Sequence, residues 1–177
     1  MSDSIHLRPV SEGQLSRLLE LLTGDPSDTG EFQWFGFRMA LAKELERRWP
    51  EDGLIHAEKP SFLAVTLEDG SCVGWVTWRP VGPAPVGTFE VGIALFREHR
   101  GQGLGTEAQR QLVDYLFTTT PVHRLQAGTE LDNVVEQRAL ERIGFLREGV
   151  ARGLYFRAGQ WRDSVLYGLL RPERGQS

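Results

Sequence analysis

The segment Arg97-Glu-His-Arg-Gly-Gln-Gly-Leu-Gly-Thr106 constrains this chain most, because glycine takes every second position from Gly101 to Gly105. Ahead of it, Thr88–Leu95 reads as a strand. After it, Leu104, Ala108, Leu112, Val113 and Leu116 recur near a 3.6-residue period, so Gly103–Phe117 reads as a helix. Glycines at such a junction let successive backbone N–H groups point at one spot. The free amides and dipole of a helix start then favour an anion. Gly101, Gln102, Gly103, Leu104, Gly105 and Thr106 form the candidate cradle, and Arg100 adds a charged donor. Phosphate or pyrophosphate is the ligand this chemistry suits, and a plain tight turn is the alternative. A nucleotide P-loop would need a lysine that is absent here. A dinucleotide fingerprint would need Gly or Ala where Thr106 stands. The pattern R-x-x-G-x-G is met by Arg100, Gly103 and Gly105.

The rest of the chain places this loop in a mixed α/β order. Ile5–Arg8 reads as a strand. Ser11 with Gln14 forms a capping-box pattern ahead of Leu15, Leu18, Leu19 and Leu22, which predicts a helix. Gly24–Gly30 is loop chemistry, and Phe37, Leu41, Leu45 and Trp49 predict a second helix that ends over Pro50–Gly53. Phe62–Leu67 and Cys72–Trp78 flank an Asp-Gly turn as a hairpin. Pro80–Gly87 reads as a loop, Leu125–Thr129 as a strand, and Val134–Ile143 as a helix capped by Gly144. Leu146–Phe156 and Trp161–Leu170 form a second hairpin. The order is β-α-α-β-β-β-α-β-α-β-β.

Composition narrows the classes. A length of 177 residues suits one domain, expected over residues 1–172 with 173–177 as a short polar tail. The formal charge of −4 lacks the basic excess of a non-specific nucleic-acid binder. The single cysteine, Cys72, rules out an intrachain disulfide and sits among apolar neighbours that predict an inert, buried thiol. The apolar runs are far short of the ~20 residues a membrane helix needs. Neither a membrane nor a nucleic acid is expected as partner, and the cytoplasm is the expected location. His6, His56, His99 and His123 show no ligand spacing, so no metal site is expected.

Three blocks in this order resemble the GCN5-related N-acetyltransferase (GNAT) superfamily. They are the Arg100–Thr106 loop, the run Asn133–Gly149 containing Gly144-Phe145 and Glu148-Gly149, and Gly159–Tyr167. The resemblance spans about Phe62 to Leu170. It is greatest to the branch holding the ribosomal-protein N-terminal alanine and serine acetyltransferases. It implies a mixed, mostly antiparallel twisted sheet with splayed central strands and helices on both faces. It implies acetyl-CoA as cosubstrate, with the pyrophosphate in the glycine loop. The acetyl-pantetheine arm would enter between the strands at Glu90–Leu95 and Leu125–Thr129, against backbone groups near Ile93 and Leu95. Asn133 would contact that arm, or serve as a helix N-cap, or both. An amine acceptor is implied, and a homodimer is compatible with it.

Attack on a thioester requires a neutral amine and a group to take its proton. Glu90, a lone carboxylate in an apolar strand, is the candidate base; an arginine-paired structural role is the alternative. On that strand Phe89, Val91, Ile93 and Leu95 share one face, and Glu90, Gly92 and Ala94 share the other, where small residues leave room for a ligand. The family's frequent tyrosine acid corresponds here to Leu140, and its frequent serine three residues after the asparagine corresponds to Glu136. Tyr155 and Tyr167 are the remaining hydroxyl candidates. The aromatic run Glu31–Phe37 offers Trp34, Phe35 and Phe37 to an acceptor pocket with Glu31 attracting a cation, or else anchors the second helix. The alternatives to amine acetylation are O-acetylation, transfer of a longer acyl chain, or a non-catalytic CoA-binding sensor.

Overall fold

The computed structural model describes residues 4–23, 39–82 and 87–174. Its elements follow the predicted order: β1 (Ile5–Arg8), α1 (Glu12–Thr23), α2 (Met39–Asp52), β2 (Ser61–Leu67), β3 (Cys72–Val81) and β4 (Thr88–Leu95). Then come α3 (Leu104–Thr119), β5 (Arg124–Glu130), α4 (Val134–Arg142), β6 (Leu146–Arg157) and β7 (Gln160–Leu170). The strands form one seven-stranded sheet in the order β1-β2-β3-β4-β5-β7-β6. Every neighbouring pair is antiparallel except β4 with β5, which runs parallel.

Strand alternation divides the core in two. Leu63 and Val65 of β2 and Val76 of β3 pack with Leu104, Ala108, Leu112 and Leu116 of α3. Phe62 and Ala64, on the opposite face, pack with Trp75, with Leu15 and Leu18 of α1, and with Leu45 of α2. Helices therefore cover both faces. A bulge at the end of the β2–β3 pairing lets Cys72 and Trp75 share that second face.

The second helix passes Pro50 and ends at Asp52, inside the predicted Pro50–Gly53 stop, with Gly53 left-handed at φ 59°. Arg48, wholly buried, donates through Nε and Nη2 to Asp52 Oδ2 at 3.1 and 3.0 Å, and this i,i+4 pair carries the helix past the proline. Strand β3, by contrast, runs past its predicted end at Trp78 and into the predicted loop, through Pro80 to Val81, opposite Phe89 and Thr88. At the other end, Arg171 closes α3. Its guanidinium donates to the carbonyls of Phe117 and Thr120 at the helix end and of Val122 just beyond it.

Candidate active site

The glycine loop lies where the sequence puts it. A short 3-10 turn, Arg97–His99, leaves β4, and Gly101 and Gly103 take φ of 74° and 83°. Gly103 is the N-cap of α3 and supplies no side-chain cap. The first backbone bond into the helix is Glu107 N–H to Gly103 C=O at 3.2 Å, so the amides of the first turn are left for an anion. Gly105 meets a different need. A Cβ there would touch Leu95 Cδ1 at 3.5 Å and Ile93 Cδ1 at 3.7 Å, so the first helical turn rests on the ends of these two side chains. The loop is also tied to α1, where Arg17 stacks over the Phe96 ring at 3.5 Å and pairs with Glu98. Arg100 is folded back: Nε and Nη2 donate to Leu95 C=O at 2.9 and 2.7 Å. That contact fastens the loop to the end of β4.

β4 and β5 part after only three paired positions, Thr88 with Arg124, Phe89 with Leu125, and Glu90 with Gln126. From Val91 to Leu95, β4 stays paired on its other side with β3. Phe96 N–H points to that side, donating to Val73 C=O at 2.9 Å. By strand alternation the backbone groups of Ile93 and Leu95 point the opposite way, into the opening. Their side chains pack against the α3 core. The structure thus has a wedge-shaped opening edged by backbone groups of Ile93 and Leu95, of which the Leu95 carbonyl is taken by Arg100, beside an uncapped helix start. A long ligand with an anionic end fits this arrangement, and acetyl-CoA has that chemistry.

Glu90 marks the point of the wedge, with its side chain 34% exposed. It pairs with Arg79 across the β3–β4 ladder, Nη2 to Oε1 at 2.6 Å, and accepts from Gln126 Nε2 at 3.3 Å. On β5, Gln126, Gly128 and Glu130 share one face by alternation. A Cβ on Gly128 would lie 3.0 Å from the Tyr155 hydroxyl and 3.2 Å from Ser164 Oγ. Glu130, only 1% exposed, holds a two-point pair with Arg157 at 2.6 and 2.8 Å. Burial, above all, pushes the Tyr155 phenol up from its usual value, so it keeps its proton at neutral pH.

On the other side of the opening, Asn133 caps α4. Its Oδ1 accepts from Glu136 N–H at 3.3 Å, and its Nδ2 donates to Thr129 Oγ1 at 3.0 Å. Glu136 faces α3, where Gln109 Nε2 reaches its Oε2 at 3.4 Å and the Gly105 carbonyl at 3.3 Å. Burial raises the Glu136 carboxyl to about 7. Leu140 is fully buried core. Tyr167 is buried as well, donates to Glu141 Oε1 at 2.9 Å, and is pushed up to about 12 chiefly by burial. Neither offers a proton to the opening. Cys72 is free and buried, and burial raises its thiol. Among the described residues no cluster of His, Cys, Asp and Glu could hold a metal. No helix among them is long and apolar enough to cross a membrane.

The structure puts Arg100 and Gly105 against the end of β4 at Leu95 and Ile93, leaves Glu90 farther back on β4 with Arg79 and Gln126, and places Asn133 against Thr129 at the end of β5. Glu31, Trp34, Phe35 and Phe37 lie outside the described residues. The parts played by Arg79, Gly128, Glu130 and Arg157 emerge only from the folded chain, and the contact of Glu136 with Gln109 is seen there as well. For Glu136 a signal existed, since it stands four residues before Leu140 and so shares the helix stripe of a core leucine.

The sequence matches a family model described as an acetyltransferase (GNAT) domain over residues 4–146. It is 34% identical over 133 residues to the probable N-acetyltransferase YjcK of Bacillus subtilis, which covers 75% of this chain and 71% of that protein. It is also 34% identical to the ribosomal protein uS5-alanine N-acetyltransferase of Escherichia coli, over 47% of this chain and 43% of the relative. The fold is shared with a crystal structure of the Vibrio cholerae spermidine N-acetyltransferase in complex with CoA and spermine. The TM-score is 0.77 at 20% identity, with 96% of each chain covered. The family model spans most of the chain, including the glycine loop and both parted strands, and the chain belongs to the GNAT family, as an N-acetyltransferase that uses acetyl-CoA.

Proposed function

We propose that the protein acetylates a primary amine by direct attack, with amine and acetyl-CoA bound together at the β4–β5 opening. The observation that carries this reading is the parting of the two strands after Glu90, next to the uncapped start of α3. The amides of Gly101–Thr106 hold the pyrophosphate, with Arg100 keeping the loop against Leu95. Backbone groups of Ile93 and Leu95 hold the pantetheine arm and polarise the carbonyl. Asn133 fixes the far wall.

Glu90 is the base of this reading. It stands at the wedge point, partly open to water, and Arg79 and Gln126 orient its carboxylate. An ammonium acceptor would be attracted by that carboxylate and lose its proton to it, directly or through water. Glu31, Trp34 and Phe35 belong to the acceptor pocket on sequence grounds alone. The amine is a small molecule or a protein N-terminus; the relatives above are named for one acceptor of each kind. Residues 1–172 act as one catalytic unit. A cytoplasmic location belongs to the reading, supported by the free cysteine. So does a homodimer, supported by the outermost position of β6 and the exposed Phe156 and Trp161 on its hairpin.

The deciding experiment measures CoA release with a panel containing spermidine and an alanine-initiated peptide. Turnover with intersecting initial-velocity lines supports direct transfer, and parallel lines would replace it with a covalent intermediate. Tight acetyl-CoA binding without release of CoA from any amine would make the protein a sensor. Glu90→Gln is expected to lower the rate at limiting amine by about 10–100-fold; an unchanged rate removes Glu90 as base. Trp34→Ala should raise the amine KM if the aromatic run lines the pocket.

A further inference from the structure

The hydroxyl of Tyr155 lies over Gly128, on the part of β5 that has parted from β4, and the chain is built to put it there. Gly128 is not among the residues with positive φ, so backbone conformation does not call for glycine at that position. Space does. The Tyr155 oxygen lies 3.0 Å from where a Cβ on Gly128 would stand. Gly128 is two residues beyond Gln126, the last β5 residue paired with β4, so the hydroxyl sits where the wedge begins to open. Ser164 is its hydrogen-bond partner, and the charges of Glu90, Arg79 and Glu130 all act on the phenol.

The hairpin aims the ring. Between Ala151 and Tyr155 the β6–β7 register shifts, so that four steps along β6 match two along β7, from Ser164 to Arg162. The extra residues form a bulge. Gly153 turns it at φ 59°, and its N–H donates to Asp163 Oδ1 at 2.8 Å. Bulges of this kind bend a strand and redirect a side chain.

We propose that Tyr155 is a catalytic residue whose O–H donates a hydrogen bond to the negative charge that develops as the thioester collapses. This rests on the acetyl-transfer reading above. The amine nitrogen bonds to the carbonyl carbon, its proton passes to Glu90 or to water held there, and the carbon–sulfur bond breaks. Sulfur leaves as thiolate and takes its proton from solvent. The phenol stays protonated throughout and serves as a fixed dipole, for which its raised pKa suits it.

The test is a double-mutant cycle in the full chain, with the panel amine that the wild type acetylates fastest. Tyr155→Phe should lower kcat by at least about 10-fold, evenly from pH 6 to pH 9, with the acetyl-CoA KM and the melting temperature nearly unchanged. Gly128→Ala, which displaces the hydroxyl, should give a similar loss alone but little further loss in the Tyr155→Phe background. A Tyr155→Phe kcat within twofold of wild type overturns the proposal, as do two losses that simply multiply. Should Tyr155→Phe melt early, the same cycle is run at a temperature where it stays folded, and the same outcomes decide. A wild type that turns over no amine counts against acetyl transfer itself, not against Tyr155 alone.

Discussion

Two glycines in one loop answer to different physics, and substitution separates them. Gly103 holds φ at 83° with open space around a would-be Cβ, so alanine there meets only backbone strain. That strain costs about 1 kcal/mol and tilts the amides at the start of α3. Gly103→Ala is expected to raise the acetyl-CoA KM several-fold and lower stability modestly, as read by initial rates and thermal melting. Gly105 is helical, and its would-be Cβ meets leucine and isoleucine methyls at ordinary contact distance. Gly105→Ala should therefore hold or gain stability, by up to about 1 kcal/mol from helix propensity. Equal destabilisation by both changes would sink this account. The motif itself was legible in the residues, but the division of labour was not. It depends on which glycine turns left-handed and which lies on β4, and neither can be read from the letters. The same holds for Arg100, whose charge suggests a phosphate contact while its geometry spends two N–H groups on Leu95 C=O.

At the scale of elements, α3 and α4 meet through Gln109 and Glu136 beside the anion site. The Glu136 carboxyl is raised from 4.5 to about 7 by burial, so the folded protein binds a proton there that the unfolded chain has already released. Between about pH 4.5 and 7 the native state holds more protons, and stability falls as pH rises. Above pH 7 the penalty is fully present; below 4.5 it vanishes. Glu136→Gln keeps the shape and removes the charge. It should stabilise the protein at pH 8 by about 1–3 kcal/mol, with the gain fading toward pH 4.5, as read by denaturant melts. The CoA anion adds a second sign. A carboxylate one helical contact from the cradle repels it, so the acetyl-CoA KM should rise through pH 7 in the wild type and stay flatter in Glu136→Gln. A pH-independent difference between the two proteins would remove Glu136 from this role. The pairing was only half legible. Helical spacing puts Glu136 on the stripe of Leu140, but the partner, Gln109, lies 27 residues away on another helix.

For the whole molecule, element order was readable because helical periods, hairpin turns and glycine stops are local signals. The active-site opening was not, since it arises from what β4 and β5 fail to pair, and three paired positions leave no trace in either strand. Only the resemblance pointed to it. What keeps the opening in shape is equally non-local. Beyond Gln126, β5 has no β4 partner and depends on β7, on the α4 cap, and on the Glu130–Arg157 pair that links its last residue to β6. Glu130 is buried, and Arg157 is the two-point cation on it. Removing one partner of such a pair leaves a buried charge uncompensated, at about 3–5 kcal/mol, whereas removing both often costs little. Arg157→Ala should therefore cost about 3 kcal/mol or more in denaturant unfolding. It should also lower kcat, because Tyr155 stands two residues away on the same strand face. Glu130→Gln with Arg157→Met should recover most of the stability that Arg157→Ala loses. If the single change is as mild as the double, the pair is ornamental and the free half of β5 is held by the sheet alone.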